Sequence, residues 1–312
     1  MATVALPRTG QKIDNATCAD TVYNAIKLGY RLLDGAADYG NEKEAGQGVR
    51  RAIDEGLIKR EDICTFHIWN TNHAYEHVKS ACKKQLADWG LEYFDLLHVH
   101  FPIALEYVDP AHRYPPAWWG DDGKTVTLPE KTSLRETWKA MEELVDEGLT
   151  ENIGIRLVVL RNCAGALLND LLQYTRIAPQ VLQIELHPYL SQDNYIALAK
   201  ELGIVVTAYS SFGPQGYYEL GVKGVRSFFE HDTVLSVAKA NNKTPAQVLL
   251  RWATQRDIVV IPKSTRPEIL SENLNSTNFD LSEEDMKALG SLNVNLRLND
   301  PREIDPRLAI FA

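Results

Sequence analysis

Residues 31–40 read RLLDGAADYG, and residues 95–102 read DLLHVHFP. Each begins as an apolar run of strand length and ends on polar groups, Asp34 and Tyr39 in the first, His100 in the second. Runs of this kind that lead into helical periodicity are expected to be buried parallel strands feeding helices. When strands and helices alternate, the carboxyl ends of the strands converge on one face, so Asp34, Tyr39 and His100 are expected to share one rim. An acid, a phenol and an imidazole on a common rim form the layout of a proton relay. Each alone has a plainer reading: an Asp at a strand end caps a helix, a Tyr packs half-buried, a His satisfies itself in a core. Their recurrence at successive strand ends is what favours chemistry.

Outward from these two stretches the punctuation is regular. Helical segments are expected at 41–56, 74–90, 133–148 and 191–203, each closing on a glycine able to adopt a left-handed cap. Ser133 with Glu136 has capping-box spacing, Ser282 with Asp285 is a weaker version, and Thr244 before Pro245 opens a helix. Apolar segments at 63–69, 96–100, 182–186, 205–209 and 258–261 are the expected strands between them. Strands alternating with helices imply a parallel sheet. No GxGxxG follows a strand, so a Rossmann-type fold is unsupported and closure into a (β/α)8 TIM barrel of the α/β class is expected.

A chain of 312 residues with 45% hydrophobic content can bury one large core, which suits a single barrel domain over 1–312. The net charge of -9 argues against a general phosphate-backbone binder, because nucleic-acid affinity rests on clustered cations. Cys18, Cys64, Cys82 and Cys163 show no CxxC spacing and no accompanying His cluster, so they read as reduced intracellular thiols rather than a zinc site or a disulfide framework. No apolar run approaches membrane-span length, and a cytoplasmic protein with no membrane partner is expected. The stretch 103–132 is long for a connection and carries Tyr114, Pro115, Pro116, Trp118 and Trp119, which favours an ordered flap at the barrel mouth.

At this point the chain resembles the aldo-keto reductases, and within them the fungal D-xylose reductases. The likeness is carried by DGAADYGNE at 34–42, HFPIALEYVDP at 100–110, RYPPAWWGDDG at 113–123, VLQIELHPYL at 181–190, TAYSSFGPQ at 207–215, VVIPKS at 259–264 and LRLNDP at 296–301. The resemblance implies the same barrel, with the tail 293–312 folded over the substrate opening, and reduction of an aldose such as D-xylose to its polyol without a metal. It assigns Tyr39 as proton donor, Asp34 as the carboxylate behind it, and His100 as the group that orients the carbonyl. Asp38, Phe101 and Asn299 become substrate contacts. Elementary chemistry agrees: hydride addition puts negative charge on the carbonyl oxygen, which calls for a donor and fixed dipoles. A phenol with a pKa of about 10 needs a nearby cation to serve.

The cation is where the sequence departs from the pattern. Similar enzymes have a lysine where His67 stands in FHIWN, and imidazole is only partly charged at neutral pH, so a weakened relay is expected. Gln11 and Lys12 replace an expected Trp-Lys pair, and only 3–6 could supply the first strand, so the first strand and N-terminal hairpin are expected to be truncated. Between Gly154 and Asn162 lie five extra residues.

For the cofactor, Ser264 and Thr265 after a short strand, flanked by Lys263 and Arg266, form a modest anion site. The resemblance assigns Lys263 and Ser264 to the 2'-phosphate of NADPH, Glu272 and Asn273 to the adenine, Tyr209 beneath the nicotinamide, and Asn162 and Gln183 to its carboxamide, with Ser210 adjoining. Ile269 stands where a further arginine is expected, so NADPH is preferred only mildly and NADH stays open. The partner is a small aldose or aldehyde, and the protein is a monomer or homodimer. A rival reading keeps the nucleotide-binding barrel and loses efficient turnover.

Overall fold

The computed structural model describes residues 3–5, 15–129, 131–156, 164–218, 222–308 and 310. Among them run eight strands: β1 Thr3–Ala5, β2 Leu32–Ala36, β3 Cys64–Ile68, β4 Leu97–Val99, β5 Ile153–Arg156, β6 Val181–Glu185, β7 Val205–Tyr209 and β8 Val259–Val260. They form one sheet in sequence order, every neighbouring pair parallel. Helices alternate with them: α1 Asn15–Leu28, α2 Glu42–Asp54, α3 Tyr75–Trp89, α4 Leu134–Asp146, α5 Ala164–Tyr174, α6 Asp193–Glu201, α7 Asp232–Ala240, α8 Pro245–Thr254, α9 Pro267–Leu274 and α10 Glu283–Gly290. This is the alternation and strand order of a (β/α)8 barrel. Covered on both faces, the strands can be apolar along their length, and Leu33, Leu97, Val99, Ile153, Leu182 and Ile184 are fully buried.

The first strand is short but present. Thr3–Ala5 lies in the sheet in parallel register with β2, Thr3 opposite Leu32 and Ala5 opposite Asp34. Three residues suffice because parallel pairing uses backbone groups alone. The expected N-terminal hairpin, with Gln11 and Lys12, lies outside the described residues, as do most of the extra residues before Asn162. β5 is the strand the periodicity did not announce, since Gly154 breaks its apolar run and it ends on an arginine.

The glycine stops behave as their conformational freedom requires, with Gly56, Gly90, Gly148 and Gly203 all at φ between 66 and 71°. Ser133 makes the full capping box with Glu136. Thr244 makes a second with Gln247, ahead of Pro245 at the first helical turn. Ser282 accepts only from the Asp285 backbone. Among the described residues no helix is long and apolar enough to cross a membrane.

Candidate active site

Register builds the site. Ala36 of β2 lies opposite His67, His67 opposite His98, and His98 opposite Gly154, a row across four strands. The row closes up because Gly154 has no side chain: a Cβ there would come within 2.5 Å of the His98 ring. His67 and His98 stack at 4.6 Å between ring centroids.

Asp34, in mid-β2, is 1% exposed. His67 Nε2 donates to its Oδ1 at 2.8 Å, and Gln183 Nε2, from β6, donates to the same oxygen at 2.7 Å. Burial works against the carboxylate. The charge and hydrogen bond of His67, the charge of Arg156 and the amide of Gln183 outweigh it and hold Asp34 down at about 2. His98 goes the other way: burial, then the neighbouring His67, push its pKa well below the ordinary imidazole value, so it is neutral.

The three residues anticipated on one rim do gather. Tyr39, on the turn after β2, is buried, and its ring meets His100 edge-on at 6.3 Å. His67 lies 5.0 Å from the His100 ring, and Phe101 stacks on it at 4.8 Å. Asp38 Oδ1 stands 3.8 Å from His100 Nδ1. Trp69, at the end of β3, meets His100 edge-on at 4.8 Å and donates from Nε1 to the Ala117 carbonyl at 3.1 Å. Trp118 packs in turn on Trp69 and Phe101, so the long loop lies against the site's aromatic wall.

Two groups were missed. Arg156 is 1% exposed, with Nη1 2.5 Å from His100 Nε2 and its guanidinium 4.1 Å over the centre of the Tyr209 ring. Nothing in the pattern predicted it, because arginines are almost never fully buried. Glu185, at the end of β6, is fully buried. It accepts from His187 Nε2 at 3.0 Å and from the backbone N–H groups of Leu298 and Asn299 at 2.8 and 3.0 Å. Arg297 Nη1 is 3.7 Å away. The tail therefore hangs from a carboxylate at the strand end, which brings Asn299 to the same end of the sheet.

The expected cofactor groups sit on the neighbouring strands. Tyr209 ends β7, and Ser210 follows at φ 58° with its Oγ 2.7 Å from the Tyr217 hydroxyl. Lys263 and Thr265 are exposed beyond β8, and Ser264 Oγ accepts from the Arg266 backbone ahead of α9. Asn273 is 3% exposed, and both polar atoms of its amide lack a partner among the described residues. Glu272 accepts from the Thr244 hydroxyl at 2.7 Å. Asn162 lies outside the described residues.

Comparison with known proteins agrees with this architecture. The aldo/keto reductase family matches residues 3–294. The chain is 54% identical over 294 residues to the Neosartorya fischeri protein named "Probable NAD(P)H-dependent D-xylose reductase", covering 93% of this chain and 89% of that one. It is 52% identical over 294 residues to the NAD(P)H-dependent D-xylose reductase of Hypocrea jecorina, with the same coverage, and equally to that of Pyricularia oryzae. With the family matched over almost its entire length and the strand order of the barrel in place, the chain belongs to the aldo/keto reductase family.

Proposed function

We propose that this chain reduces the open-chain aldehyde of an aldose, D-xylose or a similar pentose, to the polyol, using NADPH and accepting NADH. The observation that carries the reading is the buried carboxylate of Asp34, charged and tied to His67, beneath a rim that holds Tyr39 and His100. Relatives named as D-xylose reductases at 52% identity support the substrate class. Tyr39 donates the proton to the carbonyl oxygen; Asp34 and His67 bias that phenol toward release; His100, Asp38, Phe101 and Asn299 orient the sugar.

The residues present suit the cofactor at its adenosine end. Asn273 has a buried amide with open hydrogen-bonding capacity, and Lys263, Ser264, Thr265 and Arg266 offer charge and donors before α9. Glu272, Tyr209, Ser210, Gln183 and Asn162 complete the proposed set. When bound, the nicotinamide supplies the hydride. The loop 103–132 and the tail 293–312 close over the mouth of a single barrel domain, a reading supported by the Trp69–Ala117 bond and the Glu185 anchor. Buried free thiols at Cys18 and Cys82 support a reducing, cytoplasmic location, with the protein a monomer or homodimer.

The test is oxidation of NADPH with D-xylose and with glyceraldehyde, beside titration of NADPH by quenching of the six tryptophans. Turnover of both carbonyls supports the reading. Cofactor binding without turnover of either favours the rival, a nucleotide-binding barrel with an impaired relay, to which the imidazole at position 67 points.

A further inference from the structure

The guanidinium of Arg156 is enclosed by the groups to which the proposed reaction gives roles. It reaches His100 through Nη1, lies over the face of Tyr209, and stands 5.1 Å over the ring of Phe101. Register sets it opposite Gln183, whose amide holds Asp34. Among the described residues no carboxylate pairs with it, and its Nε has no partner. With no carboxylate at ion-pair distance, its charge acts across the site, where it helps to hold Asp34 ionised.

The hydrogen bond to His100 has a fixed direction. A guanidinium has donors only, so His100 Nε2 accepts, and the neutral ring carries its hydrogen on Nδ1, the atom facing Asp38. The charged and titratable groups around that ring are Asp38 and Tyr39 from the segment after β2, His67 from β3 and Arg156 from β5. A permanent positive charge on the Nε2 side opposes a second proton on the ring. Nε2 is then engaged by the guanidinium.

We propose that Arg156 is the fixed cation of this site, a positioning residue that locks His100 as the neutral Nδ1–H form and sets a positive charge behind that ring as negative charge develops on the carbonyl oxygen of the substrate. The inference rests on the reductase reading. As hydride reaches the carbonyl carbon, the C=O π pair moves to oxygen and Tyr39 gives that oxygen its proton. Arg156 keeps all of its own protons throughout and acts by charge alone.

The experiment compares wild type with Arg156→Gln and Arg156→Lys in three readouts: NADPH affinity by tryptophan quenching, kcat with glyceraldehyde, and the 15N shifts of His100. The expected result is a fall in kcat of about tenfold or more in the Gln variant at saturating NADPH, and partial recovery in the Lys variant. His100 Nε2 should report as an acceptor in wild type and lose that state in the Gln variant. The proposal is overturned if the Gln variant binds NADPH more tightly with equal or higher turnover, which would make the guanidinium an occupant of the ring site over Tyr209. An Nε2–H tautomer in wild type overturns it as well. Absence of wild-type turnover on every carbonyl sinks the reductase reading instead, a failure the tautomer measurement distinguishes.

Discussion

At the scale of single residues, the relay turns on what stands beside Asp34. His67 gives it one hydrogen bond from a short, flat ring, whereas an ammonium on a longer stem would offer three donors to Asp34 and the phenol together. Replacing His67 by Lys is therefore expected to raise turnover by about tenfold or more, equivalent to about 1.4 kcal/mol of barrier; equal turnover would show that imidazole does not limit the relay. Asp34, Tyr39 and His100 were legible in the sequence because a polar group at the end of an apolar strand has few structural reasons to be there. His98 was readable in principle, two residues before His100 in a strand and so on the same face. Arg156 was not. Its burial depends on the aromatic faces of Tyr209 and Phe101, which only folding brings together.

At the scale of elements, helix ends and strand runs were legible because caps and glycine stops are local chemistry, while β5 was hidden because Gly154 and Arg156 interrupt its apolar run. How the long loop and the tail attach was hidden too, since their anchors are single carboxylates far away in sequence. Glu42, in the first turn of α2, accepts from Gln85 Nε2 at 2.9 Å and from the hydroxyl of Tyr114 in the loop. Burial pushes its carboxyl up to about 7 from 4.5, and the Gln85 bond offsets this only in part. Between those values the folded chain binds more protons at this site than the unfolded one, so stability falls as pH rises from 4.5 to about 7. The full span is worth about 3 kcal/mol. In Glu42→Gln that dependence should vanish, leaving the variant more stable than wild type at pH above about 7 by denaturant unfolding; parallel pH profiles would refute the assignment.

Glu185 works in the opposite sense. Burial opposes its charge, but His187, Arg297 and the Leu298 N–H hold its pKa below the ordinary glutamate value. Its contribution is present above the unfolded pKa and is lost as acid protonates it in the fold. Glu185→Gln leaves His187 and Arg297 without their carboxylate, which is expected to cost about 3–5 kcal/mol in urea unfolding. It should also loosen 297–299 to proteolysis and raise KM for the sugar more than it lowers kcat. An unchanged KM would separate the anchor from substrate binding.

At the scale of the whole molecule, the strand order could be read from alternation alone, because parallel strands with helical crossovers have few other ways to cover both faces. The meeting of distant segments at one end of the sheet follows from that order, and it makes ligand binding a global event. Tyr209 belongs to β7, Lys263 and Ser264 follow β8, Asn273 is on α9, and Gln183 is on β6. A dinucleotide held by all of them bridges four successive parts of the barrel, so the unfolded chain has nothing comparable to offer it. NADPH at about one hundred times its Kd should then stabilise the fold by about 2.7 kcal/mol and raise Tm by about 4 °C. On the proposed assignment of Lys263 and Ser264 to the 2'-phosphate, NADH, which lacks that group, should do the same only at higher concentration. A melting curve indifferent to both nucleotides would mean that these segments, though gathered, do not act as one binding site.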